Sequence, residues 1–391
     1  MNITANKSIR LLDFLRSRQD EMTQLLIAMV EAESPSHDVA SQAPVQELIC
    51  NALVERGYQI RRISGASSGG QLLAFPKQRV SGQPVQLLVG HCDTVWPIGT
   101  LKEMPIRLKD GKLHGPGVYD MKAGLVQAIF AIEALRELGE APSVTPVFFI
   151  NSDEEIGSAE SIPNILRLAR IADRAFVMEP ALGPVGRLKT ARKGVGRFEV
   201  RVVGRASHAG LAPEQGISAI LELSHVVQSL FALNDPDKGI TVNVGTIDGG
   251  SRPNVVAAEA SAAADVRVVT HEDARHIEQA IFGLQSAVPG TQLEISGRVG
   301  RPPMEKTLGN QQLWRLAQES AAEMKIKIED GTAGGGSDGN FTSLHAPTLD
   351  GMGAVGDGAH ALTEFVFVDK MPERAALLAR MLLLPELTTE R

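Results

Sequence analysis

The sequence predicts an α/β fold in two domains: a mostly parallel sheet flanked by helices, interrupted by an inserted ferredoxin-like unit. Three observations carry this expectation. The early chain alternates helical periodicity with short, unalternating apolar runs, VQLLVG at 85–90, PVFFIN at 146–151 and RAFVM at 174–178; such runs suit strands buried on both faces. From about residue 190 the pattern changes to β-α-β-β-α-β, an order that folds as its own layer. Helical periodicity then returns, so residues 1–189 and 303–391 form one discontinuous domain and 190–302 an insertion within it. With 391 residues the chain is longer than one hydrophobic core usually supports.

Taken in order, helical periodicity runs through 9–33 and again through 44–57, closed by Gly57 as a C-terminal cap. Residues 121–138 read as a helix with Leu125, Ile129, Ile132 and Leu135 on one stripe before Gly139. The insertion reads as a strand at 196–204, a helix at 213–233, strands at 240–247 and 261–269, a helix at 272–285 and a strand at 292–299. Helices return at 311–324 and near the C-terminus.

The formal net charge is -7, and no basic stripe is present that would follow a phosphate backbone, which argues against a nucleic-acid partner. No apolar run approaches the roughly 18 residues of a membrane span. The N-terminus is amphipathic and charged, unlike a signal peptide. Cys50 and Cys92 are the only cysteines, so no disulfide framework is expected and the reading is cytoplasmic.

The chemistry lies at the carboxyl end of each apolar run. The first leads into His91 and Asp93, the second into Glu154 and Glu155, the third into Glu179; Asp120 stands at the mouth of a helix between the first two, and His360 comes later. In an open α/β sheet, ligands gather beyond the carboxyl ends of the strands. Two imidazoles and three carboxylates suit two zinc ions about 3.5–4 Å apart that share one carboxylate and one hydroxide. His91 and Asp93 point to the same side of an extended strand end, with Asp93 holding the imidazole in its metal-binding tautomer and Cys92 turned away as a small buried residue. Of Glu154 and Glu155, one can ligate while the other acts as general base. Asp120 taken alone would better suit a helix N-cap or first-turn acid; the adjacent GPGVYDMKAG string turns the reading to a ligand. Arg301 is placed to clamp a carboxylate bidentately, with Arg187 and Arg267 as further candidates. Gly334, Gly335 and Gly336 before Ser337 suit a backbone anion nest. His37, His114, His225, His271, His276 and His345 lack a converging set.

The strings HCDTVWPIGT, GPGVYDMKAG, NSDEEIGS, VMEP, GRASHAG, GRPP, GGGSDG and GDGAHALTEF, in that order over nearly the whole chain, resemble the M20 family of zinc peptidases, and especially its carboxypeptidase G2 (glutamate carboxypeptidase) branch. The resemblance implies two Zn²⁺ per subunit, with Co²⁺ or Mn²⁺ as alternative ions. It implies His91 and Glu179 on one ion, Glu155 and His360 on the other, Asp120 bridging, and Glu154 as general base on the metal-bridging water. The insertion would be a lid and dimerisation domain, with His208 and Asn254 reaching the partner subunit's site and Arg301 at the carboxylate position. Ile106 after Pro105 and DMKAG in place of the commoner DMKGG depart from close relatives without touching a ligand. The expected activity is cleavage of a peptide or N-acyl amide beside a carboxylate-bearing amino acid, in a small conjugate or short peptide. N-acyl-amino-acid deacylation or desuccinylation is the alternative within the family, and a non-catalytic metal-binding protein the alternative outside it.

Overall fold

The three apolar runs form the centre of a six-stranded sheet. Its order is Tyr58–Ile63, Gln71–Pro76, Thr145–Asn151, Val85–His91, Ala172–Val177 and Thr348–Leu349. Every residue of Val85–His91 and of Thr145–Asn151 is buried, which is why neither alternates. Val85–His91 runs parallel to both its neighbours, and Thr348–Leu349 extends the parallel set. Gln71–Pro76 runs antiparallel to Thr145–Asn151, so the sheet is mixed. The parallel strands end on one edge: His91 is in register with Asn151, and Val89 with Val177. The structure, a computed structural model, describes residues 3–80 and 82–387.

The chain divides into two units, one of 1–191, 306–332 and 337–391, the other of 192–305 and 333–336. In the first, the N-terminal helical stretch is two helices, Ile3–Ser17 and Gln19–Glu31. The break at Arg18, with φ -103° and ψ 6°, left no trace in the periodicity because buried Leu15 and Met22 stand seven residues apart, two helical turns, across it. The helix Ala123–Glu137 also departs from expectation. It is buried from Ala123 through Leu135 on every side, Gln127 and Glu133 included, because it packs between the strand Val85–His91 and the helices Ile3–Ser17, Gln19–Glu31 and Lys370–Leu382. Only a helix surrounded in this way dispenses with a polar face.

That helix starts at Ala123, two residues later than its sequence pattern. Asp120 (φ -109°, ψ 100°) and Met121 (φ -129°, ψ 30°) lie outside helical geometry. Gly124 sits against the end of the third parallel strand: a Cβ there would lie 2.0 Å from the Met178 carbonyl oxygen. Only glycine lets the helix start approach the strand that leads to Glu179.

The second unit is a four-stranded antiparallel sheet in the order Thr241–Gly249, Glu259–Val268, Gly194–Val203, Gln292–Arg301. The helices Ala219–Phe231 and His271–Phe282 belong to it. Phe198, Val200 and Val202 are buried while Glu199 and Arg201 face out, the alternation of a sheet with one covered face. Ser218 and Thr270 cap the two helices by accepting from Leu221 N and Asp273 N, which sets the first helix start after the separate turn Pro213–Gln215. The glycine-rich segment 333–336 groups with this unit. Lys193 N donates to Ala333 O, and the Arg192 guanidinium to the carbonyls of Gly335 and Gly336. Among the described residues no helix is long and apolar enough to cross a membrane.

Candidate metal centre

The parallel edge gathers the expected side chains. His91, at the end of its strand and 1% exposed, places Nε2 3.2 Å from Asp120 Oδ1 and 3.5 Å from Glu179 Oε1. His360 Nε2 lies 3.5 Å from Asp120 Oδ2 and 3.1 Å from Glu155 Oε2. One carboxylate therefore offers an oxygen to each imidazole, and two three-residue groups share Asp120: His91, Asp120 and Glu179, and Asp120, Glu155 and His360. His360 has φ +61°, a left-handed backbone uncommon for a side-chain-bearing residue and found where a site imposes it.

The electrostatics call for cations. Burial would lower the His91 pKa, yet its contacts with Asp120, Asp93 and Glu179 hold it well above the ordinary range. Asp120 and Glu155 raise His360 to about 10. Asp120 is pushed up by burial and by Glu179, but the two imidazoles leave it below its ordinary value. Burial raises Glu155 despite His360. Glu155 Oε1 is buried with no hydrogen-bond partner among the described residues, an arrangement that is costly unless something outside the protein satisfies it. Nitrogen and carboxylate oxygen donors in two sets sharing one acid fit a dinuclear zinc site.

Asp93 is fully buried, and its role is broader than expected. Its Oδ1 accepts from Glu154 N at 3.3 Å; its Oδ2 accepts from Glu155 N at 3.2 Å and from Ser36 Oγ at 2.6 Å. The carboxylate lies 3.4 Å from His91 Nδ1, but the nearer acceptor is Asp93's own carbonyl oxygen at 3.0 Å. Asp93 thus orients both the imidazole and the turn Glu154–Ile156. Cys92 Sγ donates to Asn151 O, and burial pushes the thiol up to about 12. His114 packs on the Phe365 ring, and no further histidine joins the two groups among the described residues.

Residues without a sequence signal support this edge. Asp153 accepts from Glu160 N and from both N and Oγ of Ser161. Asp338 accepts from Asn151 Nδ2 at 2.7 Å and Ser158 Oγ at 2.5 Å. Buried Lys189 places Nζ 3.6 Å from Glu179 Oε2. Asp153 and Asp338 stand in the strings NSDEEIGS and GGGSDG, where the paired glutamates and the glycines draw attention instead, and Lys189 lies in a segment with no motif.

The expected substrate-binding residues divide. In the second unit, Gly336 lies against Arg301, and a Cβ on it would meet Arg301 Cδ at 2.4 Å. His208 forms a bridge with Val255, and Ala209 N donates to Asn254 O, so His208 and Asn254 are neighbours. His208 Nδ1 accepts from Gly210 N and Leu211 N, which leaves the ring proton on Nε2. Arg267 is a weaker candidate than its sequence suggests, because Asp265 already takes its fork at 2.7 and 2.9 Å. Ser337, in the first unit, does not extend an anion nest: it is buried, its N–H donates to Asn340 Oδ1 and its hydroxyl to Asp350 Oδ2. Gly335 and Gly336 turn their carbonyls to Arg192. Arg187 is exposed in a turn bridged to Leu182.

Zinc binds neutral imidazole, whereas both site histidines stand well above the ordinary histidine range and so carry protons in the metal-free chain at about pH 7. Zinc loading at about pH 7 is expected to release about two protons per chain, and apparent affinity to fall as pH is lowered. Calorimetry in two buffers of different ionisation enthalpy measures this; loading without proton release contradicts it.

Comparison with known proteins agrees with this geometry. The model of peptidase family M20/M25/M40 matches residues 87–384. Carboxypeptidase G2 from Pseudomonas sp. (strain RS-16) is 28% identical, over 93% of this chain and 89% of that protein. Succinyl-diaminopimelate desuccinylase from Delftia acidovorans (strain DSM 14801 / SPH-1) is 26% identical, over 90% of this chain and 94% of that protein. In fold, the chain is similar to aminopeptidase PepT from Bacillus cereus ATCC 10987, with a TM-score of 0.79 at 21% identity, covering 93% of this chain and 98% of that one. With the family matched over most of its length and both candidate metal groups in place, the chain belongs to peptidase family M20/M25/M40 and is a zinc-dependent hydrolase of that family.

Proposed function

We propose that the chain cleaves an amide bond beside a carboxylate-bearing amino acid, as a glutamate carboxypeptidase-type exopeptidase. The observation that carries this reading is Asp120 set between His91 and His360 with one oxygen toward each, beside two adjacent glutamates. In this reading His91 and Glu179 hold one ion, Glu155 and His360 the other, and Asp120 both. Bound zinc supplies Lewis acidity for the carbonyl and makes water a stronger acid. Glu154 takes the proton of the attacking water and returns it to the leaving amine. Asp93 steadies that exchange, because it holds the backbone N–H of both glutamates.

The second unit acts, in the same reading, as a ferredoxin-like lid spanning about 190–302 and as the dimerisation surface of a cytoplasmic homodimer. Its His208 offers Nε2–H to the carbonyl oxygen of a substrate in the partner's site, with Asn254 beside it. Arg301, stacked on Gly336, clamps the substrate carboxylate. Carboxypeptidase G2, which matches 93% of this chain, favours the carboxypeptidase reading. The desuccinylase that matches 90% of it keeps removal of an N-acyl group as the second reading, since a carboxylate clamp serves either side of the amide. Turnover on N-acyl-glutamates, folate-type conjugates and N-succinyl amino acids separates the two.

Glu154→Gln is expected to keep full zinc content while turnover falls about a hundredfold or more; normal turnover in a folded, zinc-loaded variant removes Glu154 from the proton transfer. His208→Ala is expected to lose activity with zinc retained. Mixing it with Glu154→Gln then restores part of the activity, because one site of each mixed dimer regains both groups. Absence of any recovery in proven mixed dimers contradicts the crossing of His208 between subunits.

A further inference from the structure

We infer that Glu364 is a positioning residue that holds Asp120 and His360 at the separation their shared metal ion requires, an inference that rests on the two-ion reading above. Glu364 is fully buried. Its Oε1 accepts from Tyr119 N at 2.8 Å and Asp120 N at 3.1 Å; its Oε2 accepts from Gly117 N at 3.0 Å and Trp96 Nε1 at 2.9 Å. A carboxylate taken out of water needs such donors. The donors equally need it: Asp120 and Met121 lie outside helical geometry, so no regular ladder fixes the segment that presents Asp120.

Glu364 also belongs to the turn that presents His360. Its own N–H donates to Ala361 O, and Ala361 N to Gly358 O. The next strand, Phe365–Phe367, pairs with Lys112–His114, just ahead of Gly117. One side chain thus joins the two loops that carry Asp120 and His360, and through Trp96 it reaches the loop after His91 and Asp93. His91 and Glu179, by contrast, stand at or just past the ends of strands of the six-stranded sheet and do not depend on this link. Loss of the Glu364 grip therefore weakens the ion between Asp120, Glu155 and His360 more than the other. An amide in place of the carboxylate sets an NH₂ against two N–H donors, whichever way it turns.

The test is titration of the metal-free full chain with Zn²⁺ alone, repeated with Co²⁺ alone so that its absorption spectrum reports each site. The wild-type chain takes up two ions; fewer than two refutes the metal reading itself. Glu364→Gln is expected to bind the second ion about 10-fold to 100-fold more weakly, with the second Co²⁺ band altered, and to weaken the first ion, which keeps His91 and Glu179, by clearly less. Two ions bound with wild-type affinity overturn the inference while leaving the two-ion reading intact. Equal weakening of both ions also overturns it, since a general loss of stability has no preference between them. Should Glu364→Gln not fold, Glu364→Asp decides: its shorter reach is expected to weaken the second ion selectively, and unchanged binding of both overturns the inference.

Discussion

One buried and two half-buried carboxylates drawn around two imidazoles are the constraint on which the first unit depends. Asp120, Glu155 and Glu179 lie close enough that their charges oppose burial, and the two histidines answer only part of that charge. Desolvated like charges of this kind persist in a fold when the surrounding structure holds them and a cation is available to pair with them. Metal binding and the local shape of the site are therefore one problem. Backbone N–H groups and buried Asp93 hold the site's loops, and Lys189 adds a positive charge beside Glu179.

The sheet does the coarse placement. Parallel strands end on one edge, so His91, the segment after Asn151 and the segment after Val177 arrive together without long excursions. Fine placement comes from contacts that couple one loop to another. Gly124 lets the helix start meet Met178. Asp93 ties the His91 strand end to the Glu154–Ile156 turn, and Asp338 ties Asn151 and Ser158, on either side of that turn, to the start of the helix Gly339–Thr342. Each coupling joins residues far apart in sequence, so the site is a product of the tertiary fold rather than of any single motif.

That division also explains which features are legible in the sequence. The strands Val85–His91 and Thr145–Asn151 are legible because burial on both faces leaves a run with no alternation. The metal-binding side chains are legible because each comes directly after such a run or sits in a distinctive glycine-rich string. The break at Arg18 is not, since Leu15 and Met22 keep their phase across it. Nor is the encirclement of Ala123–Glu137, where Gln127 and Glu133 look like solvent-facing residues until four neighbouring elements cover them. Ser337 and Arg267 suggest anion binding by type alone, but local partners, Asp350 and Asp265, claim their donors. Glu364 carries no signal of its own: its importance lies in N–H groups more than 240 residues earlier in the chain.

The central claim, one carboxylate shared by two metal ions, is tested most directly by anomalous diffraction at the zinc edge from zinc-loaded crystals. The account predicts two peaks about 3.5–4 Å apart, each within about 2.0–2.2 Å of a different oxygen of Asp120, with His91 on one side and His360 on the other. A single peak, or two peaks of which one leaves Asp120 untouched, would contradict it.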